Sequence, residues 1–179
     1  MLAPPEPEWL LGHTTGASLA HRIAHSDAGV APRAAAHFRA LVARRSDGEP
    51  LAYLLGHQPF RGLTLQVDPR VLIPRPETEL LVEEALVSVA LATVPEDAQI
   101  HALDAGTGSG AIALALAAER PHWRVTGTDG DPDALAVARA NGDRLGLAVH
   151  WATADWLDAI GNASVDLIVA NPPYVAEAD

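Results

Sequence analysis

Two short stretches of this sequence carry residues whose types and spacing could do chemistry. The first is Asp104-Ala105-Gly106-Thr107-Gly108-Ser109-Gly110. Glycines at alternate positions let the backbone turn sharply and approach a ligand with no Cβ in the way. A helix start directly behind them offers backbone N–H groups. The string also fits a dinucleotide fingerprint, with Ala111 at the last small position. Asp104 argues against that, because a carboxylate two residues before Gly106 repels a pyrophosphate and attracts an ammonium. The second stretch is Asn171-Pro172-Pro173-Tyr174. Its consecutive prolines have no N–H and hold a rigid, extended turn. The Asn171 side-chain oxygen and the Pro172 carbonyl then form two acceptors for one NH2 group, with Tyr174 as an aromatic wall.

Both stretches need elements to position them. The apolar run at 100–103 reads as a buried strand leading into the glycine turn, and 112–118 reads as the helix leading out. A second strand is predicted at 124–128, with Asp129 at its tip. That acid stands just over 20 residues beyond the first glycine, where a carboxylate takes the hydroxyls of a bound ribose. The competing reading of Asp129 is a helix cap, although Asp131 and Pro132 already suit that job. A helix at 133–141 and a third strand at 147–151 follow. Asp155 and Trp156 come next and could flank a flat heterocycle; Trp156 could equally pack in the core. The fourth strand, 165–170, is apolar apart from Asp166, as suits a parallel strand. Ligands bind at the C-terminal edge of such a sheet, which is where both chemical stretches fall.

The upstream half is predicted to be helical. Residues 9–24 suit two short helices or one broken one, with Leu10, Leu11, Leu19 and Ile23 as apolar candidates and Gly12 and Gly16 as breakers. His21 and His25 stand one helical turn apart without a third ligand, so they read as a solvated face and no metal is expected. Pro32 opens a further helix with a stripe of Ala35, Phe38, Leu41 and Val42. Arg39, Arg44 and Arg45 read either as a docking surface or as complements to the helix dipole. Residues 60–67 alternate weakly around Gly62 and read as one short strand or as two that could pair as a hairpin. Pro74 and Pro76 fix an extended path, and a helix from Pro76 to about 91 should bury Leu80, Leu81, Leu86 and Val89. The expected organisation is a helical docking domain at 1–57, a linker at 58–75 and a catalytic domain at 76–179.

Composition narrows the partners. The formal net charge is −11, with no lysine. Residues 1–75 hold eight arginines and six acids, for +2, while 76–179 hold four arginines and seventeen acids, for −13. The glycine-bearing half therefore has the wrong sign for a nucleic-acid surface. There is no cysteine, hence no disulfide framework. No basic segment followed by an apolar one marks a secretory signal, and no apolar run approaches the ~20 residues a membrane span takes. The expected address is the cytoplasm, with neither membrane nor direct nucleic-acid partner.

The glycine run resembles the first motif of the Rossmann-like methyltransferases, whose methyl donor S-adenosylmethionine carries an ammonium and a sulfonium but no phosphate. Asn171-Pro172-Pro173-Tyr174 resembles the site of amino-methyltransferases that act on planar –NH2 groups. Two subfamilies share it, one acting on adenine N6 of DNA and one on glutamine N5 of peptide chain release factors. The strings Glu49 to Gly56, Phe60 with Gly62-Leu63, and Val71-Leu72-Ile73-Pro74-Arg75-Pro76-Glu77-Thr78-Glu79 resemble the linker signature of the second.

That resemblance implies an α/β fold: a Rossmann-like S-adenosylmethionine-dependent methyltransferase sheet with its first four strands, preceded by a small helical domain and a short β-hairpin. It implies a strand order of third, second, first, fourth. The implied activity is S-adenosylmethionine-dependent methylation of a glutamine side-chain amide in a release factor. Asp104, Gly106, Thr107, Gly108, Ser109, Gly110, Asp129, Asp155, Trp156 and Asn171 would hold the cofactor. Asn171, Pro172 and Tyr174 would be catalytic. Asn171, Pro172, Pro173, Tyr174, Arg75 and Glu77 would bind the substrate. The family's sheet has seven strands and its N-terminus a further helix, so this chain is expected to be inactive by itself. The alternatives are an adenine-N6 nucleic-acid methyltransferase and an incomplete fragment that only binds protein.

Overall fold

A computed structural model describes residues 5–92, 95, 98–155 and 165–172. Contacts divide the chain into two compact units, Met1–Gly56 and His57–Asp179. Among the described residues, no helix is long and apolar enough to cross a membrane.

The first unit holds α1 (Glu6–Thr15), α2 (Leu19–Ala24), α3 (Pro32–Ser46) and α4 (Leu51–Leu55). Gly16 ends α1 in the left-handed conformation, with φ 68° and its N–H on Gly12 O. Ser18 then caps α2 by accepting from His21 N. So the stretch read as two short helices or one broken one is two helices, separated at Gly16. Leu10, Leu41 and Leu54 form a small core, with Phe38, Val42, Leu51 and Leu55 packed around it. Leu19 and Ile23 do not join it; they are 51% and 68% exposed, which corrects the expectation that they are core residues. A six-residue helix is too short to present a full apolar stripe. Arg44 pairs with Glu49 at 2.5 Å and Arg45 with Glu6 at 3.0 Å. His21 and His25 stack with ring centroids 4.4 Å apart.

The second unit opens with a hairpin, β1 (His57–Phe60) and β2 (Leu63–Gln66). Its two-residue turn puts Arg61 at φ 43° and Gly62 at φ 76°. Both positive values match a type I′ turn, whose twist fits the flanking strands. Arg61 is fastened by its side chain to Glu119 at 2.5 Å and Glu83 at 2.9 Å, which raises its pKa further. After the extended Pro74 segment, α5 (Pro76–Leu91) begins with proline at its first position. Val82, Ala85 and Leu86 face the core, whereas Leu80 is 67% exposed and lies on the outer face, contrary to expectation.

The sheet contains β3 (His101–Ala105), β4 (Arg124–Asp129), β5 (His150–Thr153) and β6 (Leu167–Ala170). All three pairings are parallel, in the order β5-β4-β3-β6, which is the predicted order. Helices α6 (Ala111–Glu119) and α7 (Pro132–Leu145) both pack against β4, and α5 packs against α6 and β6. Residues 111–117 of α6 are all buried, which explains a helix apolar on every side. Each buried leucine there contributes about 1.5–3 kcal/mol relative to exposure. The register sets Asp104 beside Gly127 and Val169, so the tips of β3, β4 and β6 end at one level.

Candidate active site

The strand tips place the glycine turn between β3 and α6. Gly106, Gly108 and Gly110 have φ of 76°, 53° and 83°, the left-handed region where a Cβ is strained. The turn's amides are committed internally. Gly106 N and Thr107 N donate to Thr128 O at 2.9 and 2.8 Å, and Gly110 N donates to Thr107 O at 2.8 Å. Gly108 N donates to Asp129 Oδ2 at 2.9 Å. At the start of α6, Ala113 N donates to Asp104 Oδ2 at 3.1 Å. Five donors of the kind that cradle a phosphate are thus already in use, which narrows the expectation of open N–H groups there.

Asp104 stands near the tip of β3, with its carboxyl turned inward. It is 1% exposed, and its Oδ2 accepts from Thr107 Oγ1 at 2.6 Å. Its Oδ1 is buried without a hydrogen-bond partner among the described residues. Burial pushes the carboxyl up to about 6, against the pull of the Thr107 and Ala113 bonds. The side chain faces the α6 start, so the expected direct contact with a ligand's ammonium is not supported by its position.

Asp129 sits at the tip of β4. Its Oδ1 accepts from Asp131 N at 3.0 Å, while Asp131 itself caps α7 by accepting from Asp133 N at 2.8 Å. The helix cap is therefore Asp131. Each oxygen of an ionised carboxylate has a second lone pair for a ligand hydroxyl. Asp129 opens onto a cleft of about 850 Å³, mouth included, that it shares with Gly108, Asp155, Asn171 and Pro172.

Asn171 follows β6 directly and joins three recesses, each also lined by Leu72. One is the cleft with Asp129. The second holds Gly106, Thr107, Gly108 and Ser109. The third holds Arg75, Glu77, Thr78 and Pro172. Among the sequence-derived candidates, the structure thus gathers Arg75, Glu77, Gly106, Thr107, Gly108, Ser109, Asp129, Asp155, Asn171 and Pro172 around three recesses that share Leu72 and Asn171. Gly110 is turned into packing instead, where a Cβ would stand 3.0 Å from the Leu114 and Trp151 side chains. Trp156, Pro173 and Tyr174 lie outside the described residues.

Two residues were not singled out by the sequence. Thr78, 6% exposed, accepts from Asn171 Nδ2 at 2.8 Å. Asn141, fully buried, accepts from Gln66 N at 2.7 Å through Oδ1 and donates through Nδ2 to Gln66 O and Ser109 O, both at 3.0 Å. The available signal was periodicity: Asn141 continues the buried stripe of Ala134, Val137 and Ala138 on α7.

A family model described as "Methyltransferase small domain" matches residues 85–179, more than half of the chain. The chain belongs to the methyltransferase small domain family. A second model, "PrmC N-terminal domain", matches residues 3–56 upstream of the methyltransferase small domain. The chain is similar to the release factor glutamine methyltransferase of Bordetella pertussis, with 46% identity over 97% of this chain and 63% of that protein. It is 42% identical to the release factor glutamine methyltransferase of Escherichia coli, over 97% of this chain and 61% of that protein. It thus spans about three-fifths of the length of these curated relatives. Among solved structures, the T. thermophilus 16S rRNA methyltransferase in complex with AdoMet and guanosine aligns at TM-score 0.56 and 24% identity, covering 68% of this chain and 33% of that one. The N-terminal domain of human METTL16 in complex with SAH aligns at TM-score 0.55 and 18% identity, covering 98% and 68%. At such identities the structural likeness speaks for the fold of the methyltransferase small domain.

Proposed function

We propose that this chain carries the methyl-transfer chemistry of a protein-(glutamine-N5) methyltransferase, with S-adenosylmethionine as donor and a glutamine of a peptide chain release factor as acceptor. The observation that carries the reading is the shared cleft: Asn171 and Pro172 at the tip of β6 open onto the same space as Asp129 and the glycine turn. The names of the relatives supply the substrate class. Release factors act where translation ends, so the reaction belongs in the cytoplasm. In this reading, residues 1–57 dock the protein substrate, 58–75 link, and 76–179 perform the transfer.

The residues fit the donor. Turn amides already used internally leave little for a phosphate, and S-adenosylmethionine has none. Asp129 retains lone pairs for ribose hydroxyls, and Asp155 adds negative charge at the same cleft. When bound, the donor supplies an electrophilic methyl group on a sulfonium. Asp104 acts indirectly, holding Thr107 and the α6 start in place.

The chain's own residues handle the acceptor. A glutamine amide nitrogen is a weak nucleophile because its lone pair is delocalised into the carbonyl. Asn171 Oδ1 and the Pro172 carbonyl accept its two N–H bonds and hold the nitrogen in line for attack. Positioning of this kind supplies about 7–11 kcal/mol of a barrier. The same two acceptors favour the positive charge that develops on nitrogen, each worth about 3 kcal/mol. After transfer the nitrogen is strongly acidic and sheds its proton to water, so no strong base is needed. Arg75 and Glu77 line the adjoining recess and would steer the flanking peptide.

The test combines calorimetry of S-adenosylmethionine binding with a labelled-methyl assay that offers release factor and DNA side by side. Binding, with label in glutamine, supports the proposal, and Asn171→Ala should then lower kcat by about 100-fold or more at nearly unchanged donor affinity. Absence of donor binding, or label in DNA adenine instead of glutamine, overturns it.

A further inference from the structure

An asparagine amide has a donor end and an acceptor end, and rotation about its last torsion exchanges them at little cost. For an acceptor –NH2 group, the exchange matters. With Oδ1 presented, Asn171 accepts an N–H; with Nδ2 presented, two NH2 groups face each other. Asn171 is exposed at the cleft, so packing alone does not choose between the two.

In the structure the nitrogen end of the amide is held at Thr78. Its hydroxyl oxygen accepts from Asn171 Nδ2 at 2.8 Å, across 93 residues of sequence. Asn171 Oδ1 has no partner among the described residues, so it remains as the open acceptor. Three features hold the hydroxyl still. Thr78 is 6% exposed, which keeps water from competing for the bond. Its β-branched side chain is stiff about χ1. It is also the third residue of α5, whose start is set by Pro76 and whose first turn is closed by Thr78 N on Arg75 O at 3.0 Å.

We infer that Thr78 is a positioning residue that orients the Asn171 amide so that its oxygen, not its nitrogen, meets the acceptor –NH2 group. The inference rests on the glutamine-methylation reading for what Asn171 accepts. It gives the Pro74-Arg75-Pro76 stretch a further task, because that stretch decides where α5 begins and so where the Thr78 hydroxyl stands.

The test uses Thr78→Val, which keeps the shape and removes the hydroxyl, and Thr78→Ser, which keeps the hydroxyl. In the ¹⁵N-labelled chain, the Asn171 side-chain NH2 protons should exchange with water at least tenfold faster in Thr78→Val, with Thr78→Ser close to wild type. In methyl transfer, kcat should fall at least tenfold in Thr78→Val with KM for S-adenosylmethionine within about twofold, and Thr78→Ser should restore most of the rate. Unchanged Asn171 exchange in Thr78→Val overturns the inference, as does a Thr78→Ser variant as slow as Thr78→Val. A loss of folding in Thr78→Val, read from its thermal midpoint, leaves Thr78→Ser and the wild-type exchange rate to decide: an Asn171 NH2 exchanging at the rate of a free amide overturns the idea. If the wild-type chain binds no S-adenosylmethionine, the proposed function falls, while the exchange readout still decides whether Thr78 orients Asn171.

Discussion

Gly108 donates its backbone N–H to Oδ2 of Asp129 at 2.9 Å, tying the tip of the glycine turn to the tip of β4. The two features of the site that were read separately from the sequence are one hydrogen-bonded object. The acid that faces the cleft also fixes the turn beside it.

Asp129→Ala therefore removes both a ligand acceptor and a support of the turn. Charge-assisted hydrogen bonds are worth about 1.5–3 kcal/mol, so S-adenosylmethionine affinity should fall roughly tenfold to a hundredfold. Asp129→Asn keeps an acceptor for Gly108 N and should lose less. Calorimetry on both variants checks this; an unchanged dissociation constant in Asp129→Ala would remove the residue from the binding site.

Asp104 gives a pH dependence whose sign is opposite to that of a salt-bridged acid. Burial raises its folded-state pKa from 3.8 to about 6, so between those values the folded state binds more proton than the unfolded chain. Its contribution to stability is full below 3.8 and is lost as pH rises through about 6. The difference amounts to about 3 kcal/mol. Asp104→Asn is neutral at every pH and still accepts from Thr107 and Ala113. Urea unfolding should show the variant gaining stability over wild type at pH 7.5, with the gain shrinking toward pH 4. An equal difference at both pH values would show that Asp104 is not the group responsible.

Asn141 ties β2 to the glycine turn through three hydrogen bonds. Asn141→Ala leaves Gln66 N, Gln66 O and Ser109 O without that partner, the last in a buried place and the first two part-buried. Orphaned groups cost about 1–3 kcal/mol each, so a loss of about 3–5 kcal/mol is expected, a large part of a domain's stability. The urea midpoint measures it, and a loss below about 1 kcal/mol would mean that other groups satisfy those atoms.

Gly127 leaves room for Trp151. A Cβ there would stand 2.5 Å from the indole and 3.0 Å from Thr107 Oγ1. Overpacking of this kind costs about 1–3 kcal/mol. Gly127→Ala should be destabilising in wild type and much less so combined with Trp151→Leu, which a double-mutant cycle on thermal midpoints reads directly. Additive effects would show that the clash relaxes elsewhere.

The strands and the glycine turn were legible because apolar runs and positive-φ glycines leave local marks, whereas the strand order followed only from the family resemblance. The exposure of Leu80 was not, because α5 has apolar residues on more than one side and periodicity does not say which side is covered. Leu19 and Ile23 misled for a related reason: their spacing suits a helix, but α2 ends before a packing partner reaches them. Asp104 was placed at the correct strand tip, yet strand alternation alone did not tell whether its carboxyl turns to the cleft or to the helix behind. Thr78 and Asn141 find their partners 93 and 75 residues away, a distance over which a single sequence carries no pairing signal.

The slot around Trp151 has an optical consequence. Space left by Gly127, Gly110 and Gly142, from three different elements, is taken up by one indole lying against the glycine turn. Trp151 therefore sits directly behind the turn, so a change in the turn's rigidity on ligand binding should register in its emission. The difference in indole emission between the wild-type chain and Trp151→Phe, followed as S-adenosylmethionine is added, would turn the floor of the turn into a built-in lamp for ligand arrival, with no label and no turnover required.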